Sequence, residues 1–130
     1  MGIEVPDEYV KSSEYLNSVK AEQFTDELLD MKDAPTCIFY PDDLSNTGGL
    51  NAVRKRCLKV RDISTVGYDG IKLSQMLSPK LTTLRQDTME IGKKAAKELI
   101  AAIERPKTTL VKRVIVEGTL IEGETVRDIS

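Results

Sequence analysis

The chain has 130 residues, 40% hydrophobic and 31% charged, which fits one globular domain or one lobe of a larger one. Its net charge of −2 offers no general attraction to a polyanion, and no apolar run approaches the roughly 18 residues of a membrane span. There is no histidine, so no Ser-His-Asp or Cys-His pair and no imidazole base near neutral pH; catalysis would have to rest on carboxylates, lysines or an oxygen-bound metal.

Taken in chain order, strand-like and helix-like segments alternate. Tyr9 to Ser13 is a strand candidate after the turn-like Pro6-Asp7. Ala21, Phe24, Leu28 and Met31 recur at spacings of three and four, the stripe of an amphipathic helix, which Asp33-Ala34-Pro35 stops. Thr36 to Tyr40 is a short apolar strand. Asp43 is placed to cap a following helix that runs to about Cys57. Ile63 to Tyr68 forms the next strand, closed by Asp69-Gly70; a short apolar segment, Ile71 to Leu77, then leads to the brief strand Leu81 to Arg85.

Asp87-Thr88-Met89-Glu90 has the pattern of a capping box, and Ile91, Ala95, Leu99 and Ile103 follow four residues apart until Pro106. Leu110 to Val116 and Thr119 to Ile121 are predicted as closing strands. Strands separated by helices imply right-handed βαβ units, hence a three-layer α/β fold whose mostly parallel sheet is flanked by helices. In such sheets ligands gather at the carboxyl ends of strands, where Asp42-Asp43 and Asp69 fall.

The cysteines, Cys37 and Cys57, share no metal spacing and read as buried free thiols, which favours a reducing cytoplasm. The first residues carry no basic-then-apolar export signal. The densest basic cluster, Arg54-Lys55-Arg56, lies inside a helical pattern and is a solvated face rather than a nucleic-acid patch.

From Pro35 to about Glu122 the order of residues resembles the effector domain of LacI/GalR-type transcription repressors. Pro35-Thr36-Cys37-Ile38-Phe39, then Asp43-Leu44 and Gly48, is similar to one strand, turn and helix of that family. The run Leu58 to Asp69, ending Asp62-Ile63-Ser64-Thr65-Val66-Gly67-Tyr68-Asp69, is the strongest piece. Ser78-Pro79-Lys80-Leu81-Thr82-Thr83-Leu84-Arg85-Gln86 is the next, and Gly92 with Ala95-Ala96 follows.

The resemblance implies a periplasmic-binding-protein-like domain of two lobes. Residues 1–86 would be mainly the C-terminal lobe, 87–117 a helix and strand of the N-terminal lobe, and 118–130 a return strand and tail. It also implies a small-molecule effector, most simply a sugar, a homodimer, and operator DNA bound only through a headpiece absent here. No cofactor, metal or catalytic residue is expected.

Asp69 is the first site candidate: the family's aspartate at this strand end faces the cleft, and a carboxylate there can accept two hydroxyls. The competing reading is a plain Asp-Gly turn. Asp42 stands where many relatives carry an asparagine that touches ligand. Gln86 matches the family's glutamine at the crossover between lobes. Thr88 replaces an aromatic, so an apolar platform for a sugar ring would fall to Tyr40 or Tyr68. Ile71, Leu73, Met76 and Leu77 lie where the family forms its dimer interface, with ordinary core packing as the alternative.

Two further functions fit the same pattern: a periplasmic sugar-binding protein, which shares the fold, and a receiver-like phosphotransfer module. The latter would hold Mg²⁺ between Asp42, Asp43 and Asp69, with Lys72 nearby in sequence.

Overall fold

The computed structural model of the chain describes residues 2, 4–106, 108, 110 and 112–129. Its regular elements are α1 (Ser18–Leu29), β1 (Cys37–Phe39), α2 (Asp43–Lys55), β2 (Ser64–Asp69), β3 (Thr82–Arg85), α3 (Thr88–Glu104) and β4 (Thr119–Ile121). The strands form one open sheet in the order β1-β2-β3-β4. The first three are parallel, with Ile38 beside Thr65 and Asp69 beside Arg85, and β4 returns antiparallel to β3. This is the mostly parallel α/β sheet with flanking helices that the alternation of segments predicts.

The apolar core lies between the helical pair and the first two strands. Ala21 and Leu28 of α1, Val53 of α2, Ile38, Tyr40 and Ile63 form one buried cluster, with Tyr9, Leu29, Met31 and Leu58 packed at its margin. Two glycines let the helices and Tyr40 come this close. A β-carbon on Gly48 would sit 1.9 Å from the Ser18 carbonyl oxygen, and one on Gly49 would sit 2.0 Å from the Tyr40 hydroxyl. An ion-pair strip seals the outer side of the same contact: Arg56 reaches Asp26 and Asp30, each at 2.7 Å, and Lys55 meets Glu22. The guanidinium beside it holds the Asp30 carboxyl below its usual range.

Toward β3 the interior becomes polar. The Thr125 hydroxyl donates to the Thr65 carbonyl at 2.7 Å and accepts from the Thr82 amide at 2.9 Å. Gly123 N–H donates to the Thr82 hydroxyl at 3.0 Å. The tail after β4 is thereby stitched across β2 and β3 by side-chain hydroxyls rather than by apolar packing.

Four sequence expectations need correction. Tyr9 to Ser13 is no strand: a single 3-10 turn spans Asp7–Tyr9, and Tyr9 turns inward to donate its hydroxyl to the Asp33 carbonyl at 2.6 Å. The cap of α2 is Asp42, one residue earlier than expected, because its extended backbone points the carboxylate at Ser45 N–H, 2.6 Å away. Both cysteines are exposed. Cys37 alternates outward on the edge strand β1, and Cys57 ends its helix in a left-handed conformation with φ +57.

Finally, Leu110 and residues 112–116 form no strand, with Val111 outside the described residues. The segment runs beside α3, where Lys112 pairs with Glu98 at 2.9 Å, and none of the four strands lies along it. α3 itself buries no residue, although Asp87 caps it as predicted by accepting from Glu90 N–H at 2.9 Å. Its stripe is complete in sequence yet stands open, with Leu99 63% and Ile103 70% exposed.

Candidate functional site

The carboxyl ends of β2 and β3 border a groove of about 970 Å³ lined by Tyr15, Leu16, Asp69, Ile71, Arg85 and Gln86 among others. Asp69 is set into it by backbone geometry. Asp69 has φ +96 and Gly70 has φ +65, two successive left-handed residues that swing the chain off the strand. Aspartate tolerates this region better than most residues with a β-carbon. Gly70 must remain glycine, since a β-carbon there would lie 2.3 Å from the Arg85 β-carbon.

Each oxygen of the Asp69 carboxylate receives a donor. Gln86 Nε2 donates to Oδ1 at 2.7 Å, and the Tyr15 hydroxyl makes a very short bond to Oδ2. Gln86 N–H also reaches the Asp69 carbonyl at 3.3 Å, so β3 and the strand end are tied twice. The bond to Asp69 pushes the Tyr15 phenol up to about 12, with loss of hydration and the charges of Asp69, Asp42 and Asp43 acting in the same direction. The phenol is thus held as a donor facing several carboxylates.

Asp42 and Asp43 lie beneath this surface and are fully buried. Asp42 accepts from Ser45 N–H, from the Ser45 hydroxyl at 2.7 Å and from Leu16 N–H at 3.1 Å. Asp43 Oδ2 accepts from Ile71 N–H at 2.9 Å. The two carboxylates therefore fasten, respectively, the corner before α1 and the turn after β2, the two stretches of chain that border the groove. Leu16 holds φ +60 at that corner, an uncommon conformation for a leucine, which the bond to Asp42 helps to hold.

Of the residues singled out from sequence, Asp69 and Gln86 come together at the groove. Tyr40 does not reach it: its ring is buried against α1 and its hydroxyl lies 2.7 Å from that of Thr25. Tyr68 is half-buried and is not among the groove residues. Asp42 acts as a helix cap under the groove rather than at its surface. Ile71, Leu73 and Met76 are exposed, and Leu77 is half-buried.

Sequence reasoning missed Tyr15. The segment before α1 has no periodicity, and the one local signal was Asn17, whose side chain caps α1 through Lys20 N–H at 2.9 Å. The Mg²⁺ reading does not fit this arrangement, because the three aspartates face separate donors. Among the described residues no three carboxylates, cysteines or histidines are grouped as metal ligands. The groove offers a double acceptor and an amide, suited to hydroxyl or amine donors.

Comparisons with known proteins bear on the fold and the family. Residues 1–126 match the family described as periplasmic binding protein-like domain. The ribose operon repressor of Haemophilus influenzae is 32% identical over 100 residues, which cover 76% of this chain and 30% of that protein. The HTH-type transcriptional repressor CytR of Escherichia coli K12 is 30% identical over 125 residues, covering 95% of this chain and 36% of that protein.

Among solved structures, a LacI family transcriptional regulator from Arthrobacter sp. FB24 in complex with lactose superposes with a TM-score of 0.75 at 26% identity. That match covers 85% of this chain and 41% of the regulator. The chain thus spans 30% to 36% of the length of these curated relatives. With the fold and the match over residues 1–126 in agreement, the chain belongs to the periplasmic binding protein-like domain family, in the form carried by LacI-type transcription regulators.

Proposed function

We propose that this chain is the metabolite-sensing part of a transcription repressor, and that its groove takes a small polyhydroxylated ligand, most simply a sugar. The carrying observation is Asp69, whose two carboxylate oxygens each hold a donor at the mouth of an open groove. Ligand hydroxyls would meet the same carboxylate from the groove. The kinship with a ribose operon repressor and a lactose-bound regulator supports the same chemistry.

In this reading the chain divides near Gln86. Residues 1–86 make the greater part of one lobe, α3 and the segment to residue 117 belong with a second, and residues 118–130 return to the first. The lack of any buried residue on α3 supports that division. Ligand favours one closure of the lobes over the other, and the difference in affinity between the two states is the whole of its regulatory leverage. The exposed Ile71, Leu73 and Met76, with Leu77, serve as a homodimer contact. Operator DNA is bound by residues other than these, in the cytoplasm, and no chemistry is catalysed.

A thermal-shift screen of sugars, amino sugars and purines against this chain tests the reading. At least one compound should raise the melting temperature of the wild type and leave Asp69→Ala unmoved. Equal shifts in both proteins, or none with any compound, would sink it.

A further inference from the structure

The ligand reading leaves one contact unused, the bond from Tyr15 to Asp69. Tyr15 lies on the corner before α1, outside every regular element, and is 57% exposed. Its hydroxyl nonetheless reaches across the groove to Oδ2 of Asp69, fifty-four residues away in sequence. Gln86 holds the other oxygen. Each oxygen of the carboxylate is therefore already engaged by one of the protein's own donors at the place where a ligand hydroxyl would bind.

Resting on the proposed function, we infer that Tyr15 sets the affinity threshold of the groove by competition: its hydroxyl occupies the Asp69 oxygen a ligand would take, and the ligand has to displace it. Gln86 comes from β3 and is fixed by its second bond to the Asp69 carbonyl, so it stays. Tyr15 comes from a loop corner and can leave by side-chain rotation alone, because Leu16 N–H on Asp42 anchors the backbone independently of the ring.

The consequence is a filter. A compound offering one weak donor exchanges one hydroxyl for another on the same oxygen and gains little. A ligand that presents two adjacent hydroxyls, or an ammonium group, makes further bonds within the groove and displaces the phenol. Anions are disfavoured at this end, where Asp42 and Asp43 lie beneath Asp69. Tyr15 thereby lowers by a common factor the affinity of every ligand that takes Oδ2, and only a ligand with enough further bonds binds despite that cost.

The experiment is an NMR titration of this chain with lactose and with D-ribose, on the wild type, Tyr15→Phe, Tyr15→Leu and Asp69→Ala. Competition predicts that Tyr15→Phe and Tyr15→Leu both bind the sugars tighter, by about fivefold to tenfold, the scale of one hydrogen bond to a charged acceptor reduced by its exposure. If Tyr15 were instead a platform for the sugar ring, Tyr15→Phe would bind as the wild type does and Tyr15→Leu more weakly, and the competition would be overturned.

Unchanged binding in Asp69→Ala would remove the ligand site itself, as would the absence of binding to all four proteins. Those outcomes differ from weaker binding confined to the Tyr15 variants. Because Tyr15 is exposed and outside the core, the variants should fold, and their amide spectra report on this directly.

Discussion

At the scale of single residues, the site is held by carboxylates that each fix a neighbouring piece of chain. The contact between Tyr15 and Asp69 can be read without any ligand. Tyr15 and Tyr40 are both raised to about 12, the first by its bond to Asp69 and the second by burial. A raised phenol favours the protonated form in the fold, so this contribution is complete below about pH 10 and is lost as pH climbs through about 12. An ultraviolet titration should therefore show two late tyrosines. In Asp69→Asn only Tyr15 should return toward its ordinary value, while Tyr40 stays late; a Tyr15 unaffected by the change would contradict the contact. Asp42→Ala removes the α2 cap and the anchor of Leu16 together and should lower the unfolding free energy by about 2 kcal/mol in urea. Asp42→Asn keeps one carbonyl acceptor for Ser45 N–H and should lose about half as much.

Among the elements, those with a local signal, a periodic stripe or a cap, were legible and those defined by long-range contacts were not. The stripe Ala21, Phe24, Leu28 located α1, and the capping pattern at Asp87 located the start of α3. Asp69 was legible as a strand-end carboxylate and Gln86 only through the family resemblance, and their contact came from the fold. The role of Asp42 was misassigned because two consecutive aspartates fit the cap equally well in sequence, and only the extended backbone of Asp42 decides between them. Tyr15 was invisible because its partner lies far along the chain. Leu110 to Val116 has the composition of a strand, but pairing needs a neighbour that these residues do not provide. The close crossing of α1 and α2 gives a sharp test. Gly48→Ala drives a methyl into the Ser18 backbone and should destabilise by about 1–3 kcal/mol, despite the better helix propensity of alanine. Gly92→Ala on α3 meets nothing within 4 Å and should be neutral or stabilising by up to about 1 kcal/mol. Thermal melts of the two variants would separate packing from propensity.

For the whole molecule, cohesion is unevenly spread. One half is knit by the apolar cluster between α1, α2 and the first strands, whereas α3 and the chain after it leave Leu99, Ile103, Leu110 and Ile115 more than half exposed. The edge strand β1 also shows Phe39, 65% exposed, to its surroundings. An open edge and an open apolar helix face both favour association. Light scattering should show dimers or larger species as concentration rises, and a monomer throughout would count against this. The interior of β2 and β3 has a different bearing, on temperature. Ser64, Thr65, Thr82, Thr83 and Thr125 are buried there, with Asp42, Asp43 and Asn46 close by in the fold. Exposing polar groups on unfolding lowers the heat capacity, opposing the rise from apolar groups. A chain of this length would ordinarily gain about 1.6–2.0 kcal/mol/K on unfolding, and calorimetry should find less. Its stability should then vary gently with temperature, broad at the summit and slow to fall in the cold.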